Sequence, residues 1–128
     1  MPVKRGEIYW VEFDPVKGSE QGGLRPALVV QNDVGNQFSP TTVVVAITRT
    51  LPPKPFPFIV VATPQESGLR EASAINCAQL ATIQQTGTGS RLRPRPGDTT
   101  VLPIGRLNSA KMREVDKALQ YNLGLTNG

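Results

Sequence analysis

The stretch Thr41-Thr-Val-Val-Val-Ala-Ile-Thr48 sets five aliphatic residues between threonines, with no proline, glycine or charge. Such a β-branched run reads as a short buried strand. Residues 7–13, 26–31 and 58–63 carry the same signature and make three further strands. The segments between them are rich in turn formers. Asp14-Pro15 with Gly18, Gly22 and Gly23 makes a long loop, 32–36 a turn, and 52–57 a proline-rich connection. Weaker strands are expected at 73–79, 81–84 and 99–107. Within 91–97, Arg-Leu-Arg-Pro-Arg-Pro-Gly, two prolines without backbone donors resist both a helix and a central strand.

One helical period is present. Met112, Val115, Ala118, Leu119 and Leu123 recur on one face, Asn108 or Ser109 is placed to cap the start, and Gly124 to end the helix in a left-handed conformation. Many strands followed by one closing helix exclude repeat and doubly wound parallel architectures, which alternate strands and helices. The fold class expected is α+β, mainly β: a small, strongly curved antiparallel sheet with a C-terminal helix. At 128 residues the chain, 1–128, is expected to be a single domain.

Composition narrows the chemistry. Fourteen Lys and Arg against ten Asp and Glu give a formal charge of +4, and nine of the cations are Arg. A guanidinium matches the geometry of a phosphate, so a polyanionic partner is favoured, although a basic surface that only solubilises gives the same balance. The chain has no His and one Cys. That removes the commonest metal ligand and general base, so no metal and no cofactor are expected. Cys77, in an apolar stretch, reads as a small buried side chain that fits a reducing cytoplasm. The longest apolar runs, 43–47 and 59–62, are far too short to span a bilayer, and the N-terminus has no signal-peptide pattern. A cytoplasmic protein without membrane contact is expected.

Gly18-Ser-Glu-Gln-Gly-Gly-Leu-Arg-Pro26 is the most unusual segment, bringing three glycines, a carboxylate and a guanidinium to the start of a strand. Glycines permit close backbone approach to a ligand. Taken alone, the segment reads equally well as a flexible hairpin loop with Arg25 solvated at its edge. Together, RGEIYWVEFDPVKGSEQGGLRP, LVVQNDVGN and the strand ending Ala46-Ile-Thr48 resemble the motifs of the MazF/PemK toxins, agreeing in order, spacing and residue type through about residue 50.

The resemblance implies a Src-homology-3-like barrel of the MazF/PemK type. It also implies a toxin of a type II toxin-antitoxin system that cuts single-stranded RNA without metal, using the ribose 2′-hydroxyl and leaving 2′,3′-cyclic phosphate and 5′-hydroxyl ends. Arg25 and Thr48 would be the catalytic pair, stabilising charge on the phosphorane oxygens. Glu20 is a candidate base for the 2′-hydroxyl, or else a solvated loop carboxylate. Ser19, Gln21, Asn32, Asn36 and Gln79 are candidate RNA contacts by position. Phe13 and Phe38 are candidate stacking platforms, whereas Tyr9 and Trp10 read as core. The implied partners are a second copy of the chain and an acidic, MazE-like antitoxin that is partly disordered when free.

The second half departs from the family pattern. Where many relatives carry Gln-x-Arg-Thr-x-Asp, this chain has Gln79-Leu-Ala81-Thr-Ile-Gln84, so an Arg and an Asp are missing. The 91–97 stretch is longer and more basic than the usual connection, and reads either as added phosphate-binding surface or as a solvated loop. Two other activities fit the same fold: an RNA-binding barrel that does not cut, and a gyrase poison. The latter acts through a C-terminal tail with a tryptophan, and here the only tryptophan is Trp10.

Overall fold

The computed structural model describes residues 2–13 and 23–126. The β-branched runs form strands β1 (Glu7–Phe13), β2 (Gly23–Val29), β3 (Thr41–Thr48) and β4 (Ile59–Ala62), followed by β5 (Ser73–Gln84) and the short β6 (Leu92–Arg93) and β7 (Gly105–Arg106). Among the described residues there are three helices: α1 (Asp33–Phe38), α2 (Pro64–Ser67) and α3 (Ser109–Asn122). The sheet runs β4-β5-β3-β2-β1-β6, with β7 as a second partner of β1. All these pairings are antiparallel.

Both faces of the sheet are covered, because the sheet curls. Ile8, Leu28, Val45, Ile47, Ile75 and Cys77 pack on one face against Val115 and Ala118 of α3. Val3, Tyr9, Val11, Ala27, Val29, Val44 and Ile83 form a smaller cluster on the other. Leu28 and Ile75 are essentially inaccessible, and burying each such side chain is worth about 1.5–3 kcal/mol. The curl has a local cause. Between the Val45–Leu80 and Ile47–Ile75 pairs the β3–β5 register slips by three residues, so 76–79 of β5 bulge opposite Ala46.

Several segments differ from the sequence-based expectation. The expected turn at 32–36 is the start of α1, because the Asn32 carbonyl oxygen Oδ1 accepts the Gly35 amide at 2.8 Å and caps a helix. The two weak strands at 73–79 and 81–84 are one bulged strand, β5. Of 99–107 only Gly105 and Arg106 pair. β2 begins at Gly23 and ends at Val29, earlier at both ends than the expected 26–31. Thr63-Pro-Gln-Glu66 closes a reciprocal capping box that makes α2. α3 starts at its Asn108 cap, and Gly124 is left-handed (φ 71°) as expected, but Leu123 is exposed beyond the helix rather than on its buried face.

Candidate active site

The strand pair β2 and β3 places the two candidate catalytic residues together. Ala27 pairs with Ala46, and following that register two residues toward the strand ends sets Arg25 opposite Thr48. Alternation puts both on the face shared by Ala27 and Val44. Flanking pairs hold them in place: Arg25 sits opposite Val11 of β1, and Thr48 opposite Ala74 of β5. Arg25 and Thr48 are each half-buried, and both line a cleft of about 860 Å³ where the strands end. Leu24, Pro26 and Ile47, which belong to the other alternation, line it as well. The cleft therefore wraps around the end of the sheet.

The hydrogen bond at Thr48 orients its hydroxyl. Oγ1 accepts the Thr50 amide at 3.1 Å, which occupies a lone pair and leaves the hydroxyl proton for donation to a ligand. Charge in the cleft is one-sided. Among the described residues, Arg25, Arg49, Arg70 and Arg95 line it with one carboxylate, Glu71. Glu71 Oε2 lies 2.9 Å from Arg49 Nη1, an exposed pair worth less than about 1 kcal/mol that tethers the end of β3 to the approach of β5. A concave, cationic cleft with an apolar floor suits a phosphate ester that also presents bases.

The remaining candidates separate into three groups. Ser19, Glu20 and Gln21 lie outside the described residues. Phe13 is half-buried, shares the face of Arg25 and is its diagonal cross-strand neighbour, since Val11 pairs with Arg25 and Phe13 with Gly23. Gln79 is exposed on the β5 bulge opposite Ala46.

Asn32, Asn36 and Phe38 lie elsewhere. α1 joins the far end of β2 to the near end of β3, about 20 Å along the strands from Arg25. Asn32 spends its oxygen on the helix cap. Asn36 is 1% exposed, accepting from Gln31 Nε2 and Thr42 Oγ1 and donating to the Gln31 carbonyl and Asp33 Oδ1. It organises the β2–β3 connection and has no surface to offer RNA. Phe38, although 79% exposed, is outside the cleft.

The structure also adds cleft residues that the sequence reading left out. Arg49, Arg70 and Glu71 are brought in by chain ends at the rim, and only the position of Arg49, directly after Thr48, hinted at a role. Trp10, expected in the core with Tyr9, packs half-buried against the larger core cluster and also lines the cleft, whereas Tyr9 is buried on the other face and donates to Glu7 Oε1 at 2.8 Å. Burial, reinforced by Glu7, raises the Tyr9 hydroxyl far above its usual range, so it stays a donor. Burial also pushes the Cys77 thiol up to about 12, far from a reactive thiolate. Among the described residues no group of three His, Cys, Asp or Glu side chains converges to hold a metal ion. Nor is any described helix long and apolar enough to cross a membrane.

Known proteins resemble the chain over nearly its whole length. The chain is 41% identical over 125 residues to the endoribonuclease EndoA of Bacillus subtilis (strain 168), covering 98% of this chain and 97% of that one. It is 37% identical over 125 residues to the endoribonuclease MazF of Staphylococcus epidermidis, covering 98% and 94%. Among solved structures, MazF from Deinococcus radiodurans shares the fold with a TM-score of 0.72 at 22% identity, covering 97% of this chain and 98% of that one. A mycobacterial endoribonuclease in complex with its cognate antitoxin matches with a TM-score of 0.71 at 22% identity, covering 98% and 99%. Residues 4–123 match the PemK-like, MazF-like toxins of type II toxin-antitoxin systems, and the chain belongs to that family.

Proposed function

We propose that the chain is the toxin of a type II toxin-antitoxin system and acts as an endoribonuclease, cutting single-stranded RNA internally without a metal ion. The observation that carries this reading is the placement of Arg25 and Thr48 in register at the end of one strand pair, inside a cationic cleft. RNA supplies its own nucleophile. As the ribose 2′-oxygen bonds to the adjacent phosphorus, the bond from phosphorus to the 5′-oxygen breaks, leaving a 2′,3′-cyclic phosphate and a 5′-hydroxyl. One proton leaves the 2′-hydroxyl and one reaches the departing oxygen.

In this reading the protein mainly stabilises charge. The Arg25 guanidinium holds the non-bridging oxygens in a bidentate grip, and the free Thr48 proton donates to the same oxygens. Glu20 accepts the 2′-hydroxyl proton, and Phe13, beside Arg25, stacks a neighbouring base. Gln79, on the exposed β5 bulge, reads a base edge, and Ser19 and Gln21, in the segment of sequence before β2, contact RNA. The toxin acts in the cytoplasm as a homodimer, and an acidic antitoxin neutralises it by competing with RNA phosphates for the cationic cleft.

The test is to incubate the purified protein with a long single-stranded RNA in excess EDTA and map the ends. Internal cuts with 5′-hydroxyl and cyclic-phosphate termini are expected. A strict need for a divalent ion, or 5′-phosphate termini, would refute the mechanism, and RNA bound but left intact would favour a barrel that only binds.

A further inference from the structure

The basic stretch 91–97 is not used by the catalytic pair, yet the fold builds it into the cleft. Its two ends are fixed on the same edge of β1. Trp10 pairs with Arg93 in β6 and Ile8 with Gly105 in β7, and the Ile104 amide donates to the Ile8 carbonyl at 2.7 Å. Gly105 locks the return, because any Cβ there would collide with the Ser67 carbonyl of α2. Between these anchors Arg95 and Pro96 line the cleft beside Trp10. Arg95 Nη2 donates to the Ile104 carbonyl at 3.3 Å, and its own carbonyl accepts the Asp98 amide at 2.9 Å, so a backbone turn and one side-chain bond tether the exposed guanidinium at the cleft. Pro94 and Pro96 remove backbone freedom on either side.

Arg95 and Arg25 enter from different walls. Trp10 lies between Pro26 of β2 and Arg93 of β6, so two strand spacings, about 10 Å, separate β2, which carries Arg25, from β6, whose chain continues two residues on to Arg95. That separation suits neighbouring phosphates of one strand rather than a single phosphate. Trp10 shares the face of its partner Pro26, opposite that of Arg25, where it packs half-buried against the larger core cluster and lines the cleft. An aromatic and a cation lining one cleft suit one nucleotide of a single strand, its base stacked and its phosphate paired.

We propose that Arg95 and Trp10 form a second nucleotide subsite, which binds the phosphate and base of a residue flanking the scissile bond. The subsite sets affinity for longer RNA and takes no part in the chemical step. It rests on the RNA-cleaving reading above.

The test uses an oligoribonucleotide carrying a mapped cleavage site, with a 2′-O-methylated version for binding. Arg95→Ala is expected to raise Kd and KM about five- to tenfold while single-turnover cleavage at saturating RNA stays within about twofold of wild type. The slope of log K against log salt should fall by about 0.7, so the gap to wild type narrows roughly threefold between about 50 and about 200 mM salt. Arg95→Gln keeps a donor for the Ile104 carbonyl without the charge and should behave like Ala, whereas Arg95→Lys should recover the salt slope. Trp10 fluorescence should be quenched by the uncleavable RNA.

Wild-type Kd and salt slope in Arg95→Ala would overturn the subsite, as would full rescue by Gln, which would make Arg95 a loop anchor. Loss of turnover at unchanged Kd would also overturn it. If wild-type protein binds no RNA at all, the RNA-cleaving reading fails with it; wild-type cleavage with an indifferent Arg95 sinks only the subsite.

Discussion

Asn36→Ala separates a structural role from an RNA contact, because the family resemblance suggests contact while the structure buries the side chain at 1% exposure. Truncation strands two groups. The Thr42 hydroxyl, itself 0% exposed, loses the acceptor 2.6 Å away, and the Gln31 carbonyl loses the donor at 2.9 Å. Gln31 Nε2 keeps its bond to the Thr41 carbonyl at 3.0 Å and so adds little. A buried hydroxyl left without a partner costs about 1–3 kcal/mol and the half-buried Gln31 carbonyl adds about 1 kcal/mol, so the expected loss is about 2–4 kcal/mol. For a chain of this size that corresponds to a fall in Tm of roughly 10 °C or more. Circular dichroism melting measures it, and fluorescence anisotropy below the transition measures RNA affinity, which should match wild type. Adding Thr42→Val removes the stranded hydroxyl and should restore about 1 kcal/mol. A Tm within about 2 °C of wild type together with weakened RNA binding would refute the structural assignment.

Other expectations follow from the same contacts. Thr48→Ala should lower turnover on the order of a hundredfold with little change in RNA affinity, whereas Thr48→Ser should stay near wild type, because serine keeps the hydroxyl; single-turnover kinetics decide between them. Cys77 should resist alkylation in the native protein and react once denatured, as mass spectrometry of iodoacetamide-treated samples would show. Because its folded pKa is raised, the Cys77 contribution to stability is fully present below the ordinary 9.0 and is lost as pH rises toward about 12. Cys77→Ala should flatten that alkaline loss in denaturant titrations.

The strand-rich core and closing helix were legible because β1, β3 and α3 carry strong, uninterrupted periodicities. α1 was not. Its six residues include Gly35 and Asn36, and the helix forms through a cap and tertiary hydrogen bonds that only the folded chain supplies. Residues 99–107 carry Val101 and Leu102 but also Pro103, and only the pairing of Gly105 and Arg106 with β1 survives. Arg25 and Thr48 were found by motif, and their adjacency needed the β2–β3 register. Arg70, Glu71 and Arg95 come to the cleft across long sequence separations, and no local pattern encodes that. Trp10 looked like core because its neighbours in β1 are core; it packs against the larger core cluster and also lines the cleft, which the local sequence does not encode.

The central claim is that Arg25 stabilises the transition state of RNA cleavage, and the most direct measurement is single-turnover cleavage of saturating RNA by Arg25→Ala, with Kd for uncleavable RNA measured in parallel. The transition state concentrates charge on oxygens that a guanidinium grips bidentately, whereas in binding it is one phosphate contact among several. The rate should therefore fall by about a thousandfold or more while Kd rises less than about tenfold. Arg25→Lys, which keeps the charge but loses the planar fork, should remain badly impaired. The exposed helix residue Arg113, outside the cleft, provides the control in Arg113→Ala. Near-wild-type turnover by a folded Arg25→Ala would contradict the assignment of the active site.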